Sequence, residues 1–102
     1  MVKIVRLMSG EEIIANFTES KEDKTYTLKD PCVLIPSQEG KLMFVKWVPY
    51  ANMKAGVTIS ASHTVFVLDP LAELEDHFTS VITNNLFVPS KRVETPNLVL
   101  SS

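Results

Sequence analysis

The sequence predicts an all-β domain with one helix, and two patterns carry this prediction. Short apolar or alternating runs, separated by turn-forming residues, occupy the first two thirds of the chain and indicate β-strands. One later stretch, residues 69–85, places its apolar residues at helical spacing. The chain has 102 residues, of which 45% are hydrophobic and 22% are charged. This length and composition are typical of one soluble globular domain with its own core.

The first two strands lie in the best-patterned stretch, VRLMSGEEIIANF, which runs from Val5 to Phe17. The pattern predicts a first strand over roughly residues 2–8 and a second over roughly residues 12–19, with alternate side chains on opposite faces. Gly10 supplies the turn between them, since glycine takes a positive φ without a Cβ clash.

The middle of the chain predicts three more strands and a short additional one in GVTIS. The mixed-charge stretch ESKEDK is expected to be a solvated hairpin tip. In the third strand, TYTLKDPCVLIPS, Pro31 has no N–H to donate and predicts a bend, a bulge or an edge position. The fourth strand, KLMFVKWVPY, and the last, TVFVLD, carry apolar residues on both faces. Either contacts between subunits or a helix over the second face would bury them.

The helix is predicted in DPLAELEDHFTSVITNN, with Asp69 as its N-cap and Pro70 at its first position. Asn84 or Asn85 is expected to end it. Its apolar stripe, which should cover the sheet, comprises Leu71, Leu74, Phe78, Val81 and Ile82. The tail that follows is interrupted by two prolines and cannot form a long central strand. It is expected to pack along its own subunit or to add to the sheet of a neighbour.

Composition also bears on location and partners. The only cysteine, Cys32, cannot form an internal disulfide, which fits a reducing compartment, and its apolar neighbours predict a buried hydrophobic residue. The opening run MVKIVRLM carries Lys3 and Arg6 and is not expected to be a secretory signal, and no apolar run approaches the ~20 residues that cross a bilayer. A cytoplasmic location without membrane contact is therefore expected. The net charge of −2 argues against a dedicated nucleic-acid binder but leaves room for a local basic ring.

The sequence contains no recognisable catalytic, metal or cofactor motif. The cysteine and histidines lack zinc-ligand spacing, and three scattered glycines do not form a phosphate loop. His77 has Glu73 at i−4, which suggests a pair on the helix surface, and His63 lies just before a strand. We therefore expect no enzyme, no cofactor and no metal site. A deep pocket that joined either histidine to a carboxylate would instead favour a small hydrolase.

Cations interleaved with aromatic residues give a modest signal for nucleic acid. Lys24 and Lys29 flank Tyr26, and three lysines flank the aromatic residues of the fourth strand. Lysines on strands more often keep the surface soluble or guard a sheet edge. Only two arginines occur in the whole chain, which weakens the case for RNA.

The opening stretch resembles the first motif of the Sm-like (LSm) proteins. In that family a strand with the pattern hydrophobic-x-Leu leads into a turn glycine, and Val5, Leu7 and Gly10 match this pattern. The family has a second glycine five positions later, where this chain has the small residue Ala15. Phe17 matches the apolar position that follows. The whole chain also resembles small proteins encoded by marine tailed phages.

The Sm-like resemblance implies a strongly bent, five-stranded antiparallel barrel over residues 1–69, with the helix and extension of residues 70–102 packing on it as one domain. It also implies a cyclic homo-oligomer, a ring in which the fourth strand of one subunit pairs with the fifth strand of the next. The apolar faces of KLMFVKWV and TVFVLD, noted above, agree with such contacts.

The family's RNA-binding motifs do not carry over. KEDKTYTLKD stands where the family has Asp-x-hydrophobic-x-Asn, and ISASHT stands where it has Arg-Gly. Family geometry would bring Lys24, Tyr26 and His63 near the ring opening, so these three residues form the candidate site for single-stranded RNA. We expect a non-enzymatic, ring-forming binding or assembly module. The alternative is a protein–protein adaptor or virion accessory protein that captures its partner through residues 86–102.

Overall fold

A computed structural model describes residues 1–83 and the backbone of residues 93–99. These residues form seven strands, a short 3-10 turn and one α-helix. The strands are β1 (Val2–Leu7), β2 (Glu12–Ser20), β3 (Thr25–Pro36), β4 (Lys41–Lys46), β5 (Val57–Ser60), β6 (Thr64–Leu68) and β7 (Val93–Val99). The 3-10 turn is Ala61–His63 and the helix α1 is Ala72–Thr83.

All seven strands join one antiparallel sheet. Its order is β6-β1-β2-β3-β4-β7, and β5 pairs separately with the first part of β3. The predicted class, all-β with one helix, is therefore confirmed. The strands at the two ends of this order do not pair with each other, so the sheet is open and a closed barrel is not confirmed.

The first hairpin forms as the sequence predicts. β1 and β2 pair antiparallel with Val5 opposite Ile13. In the turn, the Leu7 N–H donates to the Glu11 carbonyl and the Gly10 N–H donates to the Leu7 carbonyl, both at 2.9 Å. Gly10 has φ +98°, the left-handed conformation that glycine adopts without strain.

The pairing of the long strand β3 with β2 is irregular near Pro31. The register between β2 and β3 shifts there, because Ile14 lies opposite Cys32 whereas Asn16 lies opposite Lys29. The predicted bulge at Pro31 is thus confirmed. Before the bulge β3 pairs with β5, and after it β3 pairs with β4.

The sheet separates two hydrophobic cores. The first core lies between the sheet and α1, and its buried members are Val2, Ile14, Cys32, Leu34, Phe44, Leu74, Phe78 and Val81. The second core lies on the other face, where Val5, Ile13, Ala15 and Leu28 are fully buried. Seven half-buried side chains pack against the second core: Leu7, Phe17, Tyr26, Val33, Trp47, Ile59 and Val67. The two faces of β1 and β2 therefore both bury apolar residues, with the alternation that the sequence predicts.

The helix starts later than predicted. Its first i→i+4 hydrogen bond runs from the Glu75 N–H to the Leu71 carbonyl at 3.0 Å, so the N-cap position is Leu71. The prediction of Asp69 as N-cap is wrong, because its carboxylate instead pairs with the Lys3 ammonium on β1. Pro70 likewise precedes the helix. The predicted end at Asn84 or Asn85 lies outside the described residues.

The apolar stripe of the helix is confirmed except at its first member. Leu74, Phe78 and Val81 are buried against the sheet, and Ile82 packs beside them. Leu71 is 70% exposed, because it precedes the first helical turn and does not face the sheet.

The helix α1 packs over β4, one of the two strands that carry apolar residues on both faces. Phe44 on β4 is fully buried, and its ring centroid lies 6.0 Å from that of Phe78 and 5.4 Å from that of His77. His77 is therefore half-buried against β4, and no ion pair to Glu73 forms within the described residues. Its Nε2 atom is buried and has no hydrogen-bond partner among those residues. The predicted surface pair is wrong because the helix turns this position toward the sheet.

The described part of the tail pairs within its own chain. β7 runs antiparallel to β4, with Val93 opposite Phe44 and Val99 opposite Lys41. The register shifts between these pairs, in the segment that contains Pro96. β7 stands at the end of the strand order, so the described part of the tail is not a long central strand, as predicted. The remaining tail residues of the partner-capture prediction, 86–92 and 100–102, lie outside the described residues.

Cys32 is confirmed as a buried hydrophobic residue. Its side chain is 1% exposed, and its Sγ lies 3.5 Å from the Asp30 carbonyl oxygen. Burial, reinforced by the nearby Asp30 carboxylate, raises the pKa of the Cys32 thiol from 9.0 to about 12, with Lys46 opposing this shift. The thiolate, which is the reactive form, is therefore disfavoured in the folded protein.

This burial predicts a loss of stability at alkaline pH. Between pH 9 and about 12 the unfolded chain releases the Cys32 proton whereas the folded chain keeps it. Stability therefore falls as pH rises through this window, by up to about 1.4 kcal/mol per pH unit from this group. Urea unfolding across the window measures the fall, and Cys32→Ala should show a shallower one. Equal slopes for the two proteins would contradict the prediction.

Candidate ligand-binding site

The structure places Lys24 and His63 on two turns that contact each other, and it packs Tyr26 against the second core. Lys24 is exposed at the tip of the β2–β3 hairpin, where its carbonyl accepts the Ala61 N–H at 2.9 Å. His63 is the exposed last residue of the 3-10 turn that begins at Ala61. This backbone hydrogen bond therefore joins the hairpin tip to the 3-10 turn.

Tyr26 is held in place by its contacts with β5 and with Phe17. It lies opposite Ile59 on β5, is half-buried, and packs on the second core. Its ring centroid is 4.8 Å from that of Phe17, with the rings tilted by 47°. Tyr26 lines neither of the two cavities described below, and its part in an RNA site stays a prediction.

Lys24 lines a cleft at the hairpin tip. This tip cleft has a volume of about 760 Å³ and is lined by Glu19, Lys21, Asp23, Lys24, Ser60, Ala61 and Ser62. The hydroxyls of Ser60 and Ser62 lie 2.8 Å apart, and the Ser20 hydroxyl donates to the Asp23 carboxylate at 3.2 Å. The tip cleft thus combines two ammonium groups and serine hydroxyls with two carboxylates.

His63 lines a different cavity, on the other side of the 3-10 turn. This Trp47 pocket has a volume of about 410 Å³ and is lined by Leu7, Met8, Ser9, Glu11, Trp47, Ile59 and His63. Its volume lies within the usual range for small-molecule sites, roughly 300–1,000 Å³. Mostly apolar walls with a few polar groups are also typical of such sites.

Long-range backbone pairing assembles the Trp47 pocket. The Met8 N–H donates to the His63 carbonyl at 2.9 Å, and Leu7 lies opposite Thr64 at the end of the β1–β6 ladder. These contacts hold the β1–β2 turn against the 3-10 turn. From the other side, Trp47 follows β4 and its N–H donates to the Pro31 carbonyl at 3.1 Å. The pocket is therefore formed by the fold itself.

The polar groups of the Trp47 pocket stand at its rim. The Ser9 hydroxyl donates to the Glu11 carboxylate at 3.2 Å, which orients that carboxylate. Glu11 and His63 are both exposed, and within the described residues no hydrogen bond joins either of them to the other. The Trp47 pocket has a histidine and a carboxylate in its lining, but no hydrogen bond among the described residues joins them as the hydrolase condition set above requires. It lacks the contact between a nucleophile and a histidine base that such chemistry needs.

Sequence reasoning missed this pocket. Glu11 reads as a solvated turn residue, and Trp47 reads as one apolar residue of a strand. Their proximity depends on the backbone hydrogen bond between Met8 and His63, which lie 55 positions apart in the chain (63 minus 8). A local pattern carries no signal for such a contact.

The edge strand β6 presents apolar side chains to solvent. It pairs only with β1, so its outer backbone groups are unpaired within the described chain. Val65 is 61% exposed and Leu68 is 54% exposed. By the residues that the structure describes, the apolar faces noted in TVFVLD are therefore not fully covered, whereas Met43 and Phe44 of β4 are buried.

Comparison with known proteins gives no relative: no protein family and no curated protein matches this chain. Within residues 1–83 and 93–99, no helix has the length and apolar character needed to span a bilayer. In the same part of the chain, no three His, Cys, Asp or Glu side chains are grouped so as to hold a metal ion.

Proposed function

We propose that this protein is a non-enzymatic, self-assembling binding module of the Sm-like type, and that its ligand is single-stranded RNA. The proposal keeps the bent five-stranded arrangement implied by the resemblance as its architecture. In support, β1 to β4 follow one another across the sheet and β6 returns to pair with β1. This order leaves the last strand of that arrangement at an edge.

The observation that carries the proposal is the open, apolar edge at β6. Exposed hydrophobic residues on a strand with one unpaired edge favour pairing with another chain, because the pairing satisfies the backbone groups of that edge and removes apolar surface from water. Val65 and Leu68 supply that surface. In a ring, the opposite edge would be supplied by the next copy.

The structure changes one detail of the ring implied by the resemblance. The outer edge of β4 is occupied by β7 of the same chain. In this protein the partner of β6 is therefore either β7 of the next subunit or a β4 from which β7 has moved away. Neither alternative alters the prediction that β6 is a contact strand.

The tip cleft supports the RNA part of the proposal. Lys21 and Lys24 provide two cations on one hairpin tip, and Ser60 and Ser62 provide hydroxyl donors beside them. Lysine ammonium groups and hydroxyls are common ligands of phosphate oxygens. The carboxylates of Glu19 and Asp23 in the same cleft limit this attraction, so we expect moderate, salt-dependent affinity.

Two sites support the non-enzymatic part of the proposal. The buried Cys32 thiol has its pKa raised to about 12, which disfavours a nucleophilic thiolate. In the Trp47 pocket, the Ser9 hydroxyl donates to Glu11 and not to His63, so the histidine does not activate it. Neither arrangement provides the activated nucleophile that acyl transfer needs.

The mass of the protein in solution tests the assembly. We expect the wild type to run as an oligomer by light scattering, and Val65→Lys or Leu68→Lys to run as a monomer with an unchanged circular dichroism spectrum. Tyr50→Lys is the matched control, because Tyr50 is 90% exposed but lies outside β6. A monomeric wild type, or equal masses for all variants, would overturn the proposed assembly.

Fluorescence anisotropy with labelled U-rich and A-rich RNA tests the ligand. We expect binding that weakens as salt rises and that weakens further in Lys21→Ala and Lys24→Ala. Lys54→Ala is the control, since Lys54 is exposed but is not part of the tip cleft. Absence of binding at low salt would reject RNA as the ligand and direct attention to protein partners.

A further inference from the structure

We propose that the Trp47 pocket is a specific binding site for a nucleobase that carries an exocyclic amino group, as adenine and cytosine do. This inference rests on the proposed RNA-binding function and assigns the base-reading part of it. The pocket contains neither Lys24 nor Tyr26, and only His63 of the residues named from the sequence lies in it.

The walls of the pocket suit a flat, apolar ring. Leu7, Trp47 and Ile59 all pack against the second core with part of each side chain left accessible. Their positions are therefore fixed by the interior of the protein. An indole face held in this way is a stacking surface for any base.

The rim of the pocket selects among bases by hydrogen bonding. A carboxylate accepts hydrogen bonds and donates none, so Glu11 pairs with an amino group on the ring and disfavours a carbonyl at the same position. The Ser9 hydroxyl holds Glu11 in place at 3.2 Å. The His63 imidazole, on the opposite turn, can donate or accept at a second ring position.

The charge of the rim indicates a base and argues against a phosphate. Glu11 is the acidic group of the pocket, and no lysine or arginine lines it. The two lysines line the tip cleft instead. The two sites are separated by the 3-10 turn, since Ser60, Ala61 and Ser62 line the tip cleft whereas His63 lines the Trp47 pocket.

The test uses the only tryptophan in the chain as its own reporter. Nucleosides, which have no phosphate and so do not need the tip cleft, are titrated against the full-length protein while indole fluorescence is recorded. We expect adenosine and cytidine to change the fluorescence saturably, and inosine and uridine, which lack the amino group, to bind at least roughly tenfold more weakly.

Two variants check that the signal comes from the rim. Glu11→Ala should lose most of the preference for adenosine over inosine while retaining its melting temperature, because Glu11 is exposed. Glu73→Ala should bind adenosine as the wild type does, since Glu73 is an exposed carboxylate on α1 that lines neither cavity. Retention of the full preference in Glu11→Ala would overturn the assigned role of the carboxylate.

The outcomes separate this inference from the function on which it rests. RNA binding in the anisotropy assay without a response to any nucleoside would overturn the pocket assignment and leave the proposed function standing. A response to adenosine without RNA binding would support the pocket and reject RNA as the ligand. An equal response to all four nucleosides would overturn the selection for an amino group.

Discussion

Replacement of Phe78 by alanine is expected to lower the free energy of unfolding by about 3–5 kcal/mol. Phe78 is fully buried between α1 and the sheet, and its ring meets Phe44 edge-on with centroids 6.0 Å apart. The substitution removes apolar contacts and leaves a cavity that the rigid sheet cannot fill. Since small domains are stable by only about 5–15 kcal/mol, most of the stability should be lost. Urea unfolding followed by circular dichroism measures the change.

Leu71→Ala is the matched control for Phe78→Ala. The sequence assigns both residues to one apolar stripe, but Leu71 is 70% exposed and precedes the helix. Its truncation should change the stability by less than about 0.5 kcal/mol, as is usual for surface positions. Similar losses in both variants would mean that the helix packs with a different face toward the sheet.

Gly56→Ala is expected to be the second most damaging substitution, at about 2–4 kcal/mol. Gly56 has φ +87°, where an L-residue costs about 1–2 kcal/mol in backbone strain. A Cβ at this position would lie 3.0 Å from the Leu28 carbonyl oxygen and 3.1 Å from the Lys29 Cγ. The backbone oxygen is fixed by its place in β3, so β5 would have to shift, at a further cost of about 1–2 kcal/mol.

Gly10→Ala separates the cost of backbone strain from the cost of steric crowding. Gly10 also has a positive φ, +98°, but a Cβ there would meet nothing within 4 Å. This variant should lose only the strain energy, about 1–2 kcal/mol. Thermal or urea unfolding of both variants gives the comparison, and a Gly10→Ala loss as large as that of Gly56→Ala would show that crowding against β3 is unimportant.

Local patterns predict most of the strands because alternation and turn residues act over a few positions. The hairpin at Gly10 and the bulge at Pro31 follow from the backbone chemistry of glycine and proline. The start of the helix is different. Asp69 is a good N-cap by type, but its carboxylate has a nearby ammonium on β1, Lys3, and that tertiary contact decides its position.

The candidate site depends on contacts that no local pattern contains. The sequence assigns Lys24 and His63 to one RNA site, and the hairpin tip that carries Lys24 contacts the 3-10 turn that carries His63. The pairing of β5 with β3 decides that Lys24 and His63 line separate cavities and that Tyr26 packs against Phe17. The role of Glu11 at a pocket rim likewise appears only after the β1–β2 turn has met His63.

The position of β7 has a consequence for how the chain is made. β4 is protected on its outer edge only by β7, and roughly fifty residues separate the end of β4 at Lys46 from the start of β7 at Val93. At translation rates of about 5–20 residues per second, β4 is complete for about 3–10 s before its covering strand emerges. During that interval the nascent chain carries a bare strand edge, which is a template for pairing with neighbouring nascent chains on the same messenger. Crowded polysomes are therefore the setting in which this protein is most exposed to mispairing.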